Sequence, residues 1–255
     1  MPPNLIVNEL QVKTKYIDQA IYHCLGALIA LSTLSFYFGT VIAQNDPLES
    51  RAKKNALGIA PARPIGFAGG LDFNSIDDLP DGLKVIAEKK RAEIASNGFT
   101  IAPDSEVTNI RNFPKMARPL SSVEGNLKFK LGSLNTAIFN HLKFEGIFPE
   151  GPNRSGPWTS VSRIYSLPNG DIIRLHDWDY VANGGGITMQ REMLNETVNG
   201  RYPAIFSTKK SAQGNALSTL TWATDRKVYK LSMTGDAKGN GMHKRLMDLA
   251  DSVQN

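Results

Sequence analysis

The feature that most constrains this chain is a run of 19 residues, Leu25 to Ala43, without one Asp, Glu, Lys, Arg or His (LGALIALSTLSFYFGTVIA). At about 1.5 Å of rise per residue, about 20 helical residues cross a hydrocarbon core of about 30 Å. Ile21, Tyr22 and His23 extend the run toward its N-terminal end, where amphipathic rings favour the membrane interface. The run lacks the polar stripe that a buried core helix of a soluble domain would show. The sequence reading is a transmembrane helix over 21–43, with Leu25, Leu28, Leu31, Leu34, Phe36 and Phe38 among its membrane-spanning side chains. Gly26, Ala27, Ala30, Ser32 and Ser35 are small enough for close packing against another helix.

A cleaved signal peptide is the rival reading, because Val41-Ile42-Ala43 before Gln44 resembles a small-residue cleavage site. The tail ahead of the span and the length of the apolar run favour an uncleaved signal-anchor. Lys13 and Lys15 precede the span while Arg51, Lys53 and Lys54 follow it, so flanking charge is nearly balanced. The short tail and the β-rich sequence beyond it favour an N-terminus inside. The expected organisation is a short cytoplasmic tail (1–20), the span (21–43), a Pro- and Gly-rich linker (44–80) and an extracytoplasmic α+β domain (81–255), best defined over 158–255. This places the chain in a bacterial inner membrane as a single-pass protein with its C-terminal domain periplasmic. The membrane itself is then one partner.

Within the domain, Asp81 to about Ser96 reads as a helix with Asp81 as N-cap. A second helix is expected around Leu134 to Leu142. The last hundred residues carry the period of two of half-buried strands. Trp158–Leu167 and Ile172–Trp178 flank Pro168-Asn169-Gly170-Asp171, a turn sequence. Ile187–Val198 reads as a third strand, Asn199-Gly200 as a two-residue hairpin and Tyr202–Thr208 as the returning strand. Ala216–Ala223 and Lys227–Thr234 form a further hairpin across Thr224-Asp225-Arg226. Met242, Leu246, Leu249, Ala250 and Val253 mark the apolar stripe of a terminal helix capped by Asn240. The fold class expected is α+β: an N-terminal transmembrane helix, then an antiparallel meander sheet packed against a C-terminal helix.

Few catalytic classes have a motif here. A Gly-rich phosphate loop, a G-x-S-x-G elbow and an H-E-x-x-H pair are all missing from the sequence. Cys24, the single cysteine, falls in the apolar run, so the domain has no disulfide or thiolate site. A net charge of +5 over 255 residues is too mild to argue for nucleic acid. The densest polar chemistry is His176-Asp177-Trp178-Asp179, yet on a strand His176 and Asp177 point to opposite faces. The reading is a non-enzymatic protein without cofactor or metal. His176, Trp178, Tyr202 and Trp222 are the candidate ligand or partner contacts; an enzyme could draw only on His176 and its acidic neighbours. Asn153-Arg-Ser and Asn195-Glu-Thr match glycosylation acceptors.

The runs VNGRYPAI (198–205), LTWA (220–223), KVYKLSMTG (227–235) and LADSV (249–253) resemble those of bacterial extracytoplasmic domains related to lipoprotein-carrier proteins. The resemblance covers 158–255. It implies a curved antiparallel sheet with a helix, outside the cytoplasm, and a ligand- or partner-binding role, and it carries over no catalytic residue. The expected function is thus a membrane-anchored accessory or assembly protein that binds a protein partner in an envelope complex. The alternative is a domain whose sheet encloses a lipid or other hydrophobic ligand.

Overall fold

The computed structural model describes residues 70–151 and 155–254. The expected membrane span lies outside them, as do the small-residue stripe, Cys24 and Asn153. Among the described residues no helix is long and apolar enough to cross a membrane. The α+β domain therefore stands without the transmembrane element that the sequence reading built into its fold class.

Among the described residues, twelve strands and five α-helices follow one another as β1 (Leu71–Asn74), α1 (Asp81–Asn97), β2 (Thr100–Ile101), α2 (Asp104–Thr108), α3 (Phe113–Met116), β3 (Ser133–Leu134), α4 (Thr136–Phe139), β4 (Lys143–Glu150), β5 (Ser160–Ser166), β6 (Ile172–Asp179), β7 (Ile187–Gln190), β8 (Glu196–Val198), β9 (Tyr202–Lys210), β10 (Ala216–Ala223), β11 (Lys227–Thr234), α5 (His243–Asp251) and β12 (Val253–Gln254). The main sheet runs in the order β2-β9-β10-β11-β6-β5-β4, with β8 beside β9. It is not the single meander expected. Two three-stranded meanders, β4-β5-β6 and β9-β10-β11, are joined where β6 pairs antiparallel with β11 from Ile173↔Met233 to Asp179↔Lys227. β2 is also parallel to β9, and β1 pairs parallel with β7 in a small separate sheet. Part of the expected linker is thus a strand, followed by a short 3-10 turn whose Ser75 and Asp78 form a capping box.

Local chemistry explains most boundaries. The β5–β6 turn closes through Leu167 N–H donating to Asp171 O at 2.8 Å, with Asn169 Oδ1 accepting from Asp171 N–H. At the β10–β11 turn, Thr224 N–H donates to Lys227 O and Thr224 Oγ1 accepts from Lys227 N–H. The expected third strand divides into β7 and β8, because Arg191–Met193 turn through a 3-10 helix. α1 begins after Pro80, so Asp81 is its first helical residue and not its cap. Asn240 Oδ1 accepts from Met242 N–H one residue ahead of α5.

The β4 edge is sealed, and so is the stretch of β9 left open between its partners β8 and β2. On β4, Arg118 and Ile147 exchange both backbone hydrogen bonds at 2.8 Å. Gly146 makes room for this: its φ is +134°, and a Cβ there would lie 2.6 Å from Arg118 O. On β9, the amide of Asn195 imitates a strand. Its Nδ2 donates to Phe206 O at 2.9 Å and its Oδ1 accepts from Phe206 N–H at 2.7 Å.

The inner face of the sheet carries the main core. Ile173, Leu175, Phe206, Leu220, Trp222, Tyr229, Leu231 and Met233 pack beneath Leu246, Leu249 and Ala250 of α5. Trp222 stacks on Tyr229 with centroids 5.2 Å apart. On the outer face, Tyr180, Ile187, Met189, Ala223 and Val228 form one apolar cluster, and Ile110, Ile164 and Ile172 another.

Replacing Asn195 by Ala should cost about 1–3 kcal/mol, the usual penalty for stranding buried backbone polar groups. Chemical denaturation checks the cost. Hydrogen exchange should show the Phe206 amide losing protection ahead of the β10 and β11 amides.

Candidate functional site

Charged groups penetrate both faces of the sheet around β6. On the inner face, the Arg163 guanidinium holds both oxygens of Asp177 through Nη2, at 3.0 and 2.8 Å. Both residues are buried. The backbone of Gly132 completes the arrangement: its N–H donates to Asp177 Oδ2 at 3.2 Å and its carbonyl accepts from Arg163 Nη1 at 2.7 Å. Lys227 Nζ donates to Lys130 O at 2.6 Å two residues earlier, so the same loop is held twice. Gly132 admits no side chain, since a Cβ would sit 2.8 Å from the Tyr229 hydroxyl. Burial and the nearby Asp177 charge push the Tyr229 hydroxyl well above its ordinary pKa. This is a clamp, inaccessible to a substrate.

On the outer face, β4, β5, β6 and β11 bring together Glu150, Ser160, Ser162, Arg174, His176 and Lys230. The strand registers place Ser162 opposite His176 and His176 opposite Lys230, all on one face. Arg174 Nη2 grips the Glu150 carboxylate at 2.6 and 2.8 Å, and Arg174 Nε donates to Ser162 Oγ at 2.8 Å. Ser162 also donates to Glu150. The Arg174 guanidinium lies over the Phe113 ring, 4.5 Å from its centroid. Ser160 Oγ and His176 Nε2 are 2.6 Å apart.

The protonation states follow from this packing. Burial alone would raise the Glu150 carboxyl, but Arg174 and Ser162 outweigh it and hold the group at about 2. Burial pushes His176 down to about 4 against the pull of Glu150, so the imidazole is neutral at pH 7. Burial, then Arg174 and Lys209, pushes Lys230 down to about 7.

The contacts of Ser160, His176 and Glu150 depart from a serine relay. A serine relay needs the carboxylate on the imidazole nitrogen remote from the hydroxyl. Here Glu150 Oε2 approaches the same Nε2 that Ser160 engages, at 3.7 Å. Both Glu150 oxygens are occupied by Arg174 and Ser162. Among the described residues no three His, Cys, Asp or Glu side chains converge to hold a metal ion.

The four contact residues named from sequence divide between the faces. His176 and Trp178 share the outer face, with His176 buried and Trp178 half-buried against the Tyr180 cluster. Trp222 is part of the inner core and Tyr202 packs against that core. They form no common site. Asp177 and Asp179 turn inward, Asp179 accepting from Ala182 N–H at 2.7 Å. The triple glycine 184–186 closes a turn, with Gly184 and Gly185 N–H donating to Val181 and Tyr180 carbonyls.

Two surface features complete the inventory. An open groove of 850 Å³ lies between α4 and α5, lined by Asn135, Ile138, His141, Arg245, Asp248 and Asp251 among others. The second is apolar. Five large hydrophobic side chains are well exposed among the described residues, and three of them (Val85, Ile86 and Ile101) belong to α1 and β2. These elements adjoin: Glu93 Oε1 of α1 accepts the Ile101 N–H at 2.8 Å. Ile86 and Glu93 are two turns apart on one side of the helix, about 10 Å along its axis. Sequence reading expected this helix but did not single out its exposed aliphatic side chains.

No family model matches the chain, and no curated protein does. A solved structure from Bacteroides thetaiotaomicron VPI-5482 is similar over 38% of this chain, at 12% identity and a TM-score of 0.21. The match spans 39% of that chain, and a likeness so weak carries no argument about fold or function.

Removing one partner of the inner ion pair strands the other. Asp177→Ala should therefore destabilise by about 3–5 kcal/mol in urea unfolding. Stability should also depend on acid in a defined window. His176 titrates at about 4 when folded against an ordinary 6.5, so between those values the unfolded chain binds the extra proton. Stability then falls as pH drops from 6.5 toward 4. Glu150, depressed from 4.5 to about 2, extends the loss below pH 4.5. His176→Gln should flatten only the upper part of that slope in pH-resolved denaturation.

Proposed function

We propose that the described domain is a non-enzymatic protein-binding module whose docking surface is the apolar patch of α1 and β2. The observation that carries this reading is the exposure of Ile101 at 67% on β2 and of Val85 at 63% and Ile86 at 47% on the adjoining helix α1. Three large aliphatic side chains held in water on two neighbouring elements give a partner something to desolvate. Glu93 satisfies the outward Ile101 N–H, so a partner would lay side chains across the patch instead of adding a strand.

Two further features support a binding role over a chemical one. The buried network on the outer face spends its polar atoms on one another, which favours a scaffold. The inner face is filled by Trp222, Leu220, Leu231 and Met233 under α5, which lends less support to the alternative of an enclosed hydrophobic ligand.

The test uses the full chain with Ile101→Asp and Val85→Asp, purified from its own cells after in-cell crosslinking. The wild type should yield one stoichiometric crosslinked protein, identified by mass spectrometry. Each variant should lose it by at least about tenfold, the effect of burying an unpaired charge at an interface, while its melting temperature stays within a degree or two. Equal recovery by wild type and variants, or a chain that stays monomeric and uncrosslinked, overturns the reading.

A further inference from the structure

Asn199-Gly200, the turn between β8 and β9, is one of five Asn-Gly dipeptides in the sequence, with 97–98, 169–170, 183–184 and 240–241. Asn-Gly is the dipeptide most open to internal attack, because glycine has no side chain to keep its own backbone nitrogen from closing on the preceding carboxamide. All five asparagines are exposed, so access does not rank them. The hydrogen bond of each glycine N–H does. Gly98 donates to Ile94 O at 2.8 Å, Gly170 to Leu167 O at 2.9 Å, Gly184 to Val181 O at 2.9 Å and Gly241 to Lys238 O at 3.5 Å. Such a bond keeps the proton on nitrogen and pins the nitrogen away from the carboxamide. Three carboxamides are engaged as well: Asn97 accepts from the Ser96 hydroxyl, Asn169 donates to Asp171 and Asn240 accepts from Met242 N–H.

Asn199 differs on both counts. Neither the Gly200 N–H nor the Asn199 carboxamide has a hydrogen-bond partner among the described residues. The space beside Gly200 is open, since a Cβ there would meet nothing within 4 Å. Asn199 is also the one non-glycine at positive φ among the described residues, at +54°, as a two-residue hairpin turn requires. What holds the turn is its backbone. Asn199 N–H donates to Asp251 Oδ1, at the last residue of α5, at 2.6 Å. Before the turn, Glu196 Oε1 of β8 lies 3.0 Å from His243 Nε2, at the first residue of α5. β8 and its turn are thus tied to both ends of that helix.

We propose that Asn199 is a site of spontaneous modification, converted through a succinimide to aspartate and isoaspartate, with Asp251 restraining the rate. Solvent hydroxide takes the Gly200 N–H proton. The nitrogen then bonds to Asn199 Cγ, the Cγ–Nδ2 bond breaks, and ammonia leaves with a proton from water. Water opens the ring at one of its two carbonyls. Breaking the bond from nitrogen to Cγ gives aspartate, and breaking the bond to the main-chain carbonyl carbon gives isoaspartate. One water is consumed, one ammonia is released, and nothing is oxidised or reduced. Ring closure needs the backbone to turn about Asn199, a local opening that Asp251 opposes through the N–H it holds. Either product sets a new carboxylate near that of Asp251, and like charges repel. Isoaspartate also inserts a methylene between Val198, which pairs with Tyr202, and Gly200. The turn then loses its tie to the end of α5. The site is separate from the exposed α1–β2 patch, so either assignment can fail without the other.

The experiment ages the full chain at mildly alkaline pH, folded and, separately, unfolded in urea. Peptide mass spectrometry with electron-transfer fragmentation follows each Asn-Gly step and separates isoaspartate from aspartate. In the folded chain Asn199 should convert at least about fivefold faster than each of the other four, the factor that one backbone hydrogen bond is worth. In urea the five rates should converge. Asp251→Ala should raise the folded rate at Asn199 by a further factor of about five, through loss of the bond that restrains the turn. Hydrogen exchange of the isoaspartate form should be faster than that of the unmodified chain in β8 and in the last turn of α5. Faster conversion at another dipeptide, a ranking that urea leaves unchanged, an unaltered rate in Asp251→Ala, or unaltered exchange in the isoaspartate form overturns the proposal.

Discussion

The pairing of β6 with β11 is the interaction on which the rest of this structure depends. Each flanking meander has its own turns, but neither can bury both faces alone. Their junction sets Leu175 against Leu231 and Ile173 against Met233 on the inner face. On the outer face it sets His176 against Lys230 and Arg174 against Ser232. The Arg163–Asp177 clamp and the Glu150 network each include a residue of β6.

The two faces bury charge in different ways. On the inner side a single ion pair is enclosed and saturated, apart from the Arg163 Nε, by the backbone of one glycine. Such a pair gives little net stability over apolar side chains of equal volume, but it cannot be broken cheaply. Its effect is positional: it fixes the 127–132 loop against the sheet, where Phe129 also lies under the Lys227 ammonium. On the outer side the charges are more numerous and only partly enclosed. One end is closed by Arg174 on Glu150. At the other, Lys209 Nζ donates to Glu106 Oε2 at 2.7 Å.

Much of the sheet was legible because its strands alternate and its turns carry specific chemistry. β10 and β11 occupy the residues expected, since Thr224 and Asp225 punctuate two runs of period two. β4 was not legible: Lys143–Glu150 contains Gly146 and Pro149 and places Glu145 and Glu150 in a strand. It is an edge strand shaped by Arg118, which a local pattern does not reveal. β1 was hidden in a Gly-rich stretch because it pairs with β7, over a hundred residues later. The polar network was hidden for the same reason. Glu150, Ser162 and Arg174 follow one another at intervals of 12 residues, too long for a local pattern to reveal, and only strand register brings them and Lys230 to one face. Period two did separate His176 from Asp177, but it could not say that His176 would be buried.

The alternation of charge across β5 and β6 has a consequence for fidelity of assembly. Sliding one strand by a single residue exchanges its two faces. Arg163 and Asp177 could not both move outward without abandoning Gly132, and Ile173 and Leu175 would take the places of Arg174 and His176 beside the Glu150 carboxylate. Every misaligned hairpin would therefore carry an uncompensated charge as well as displaced aliphatic surface. The buried polar residues act as a proofreading device for strand alignment, selecting against near-native competitors that apolar packing alone would leave close in energy.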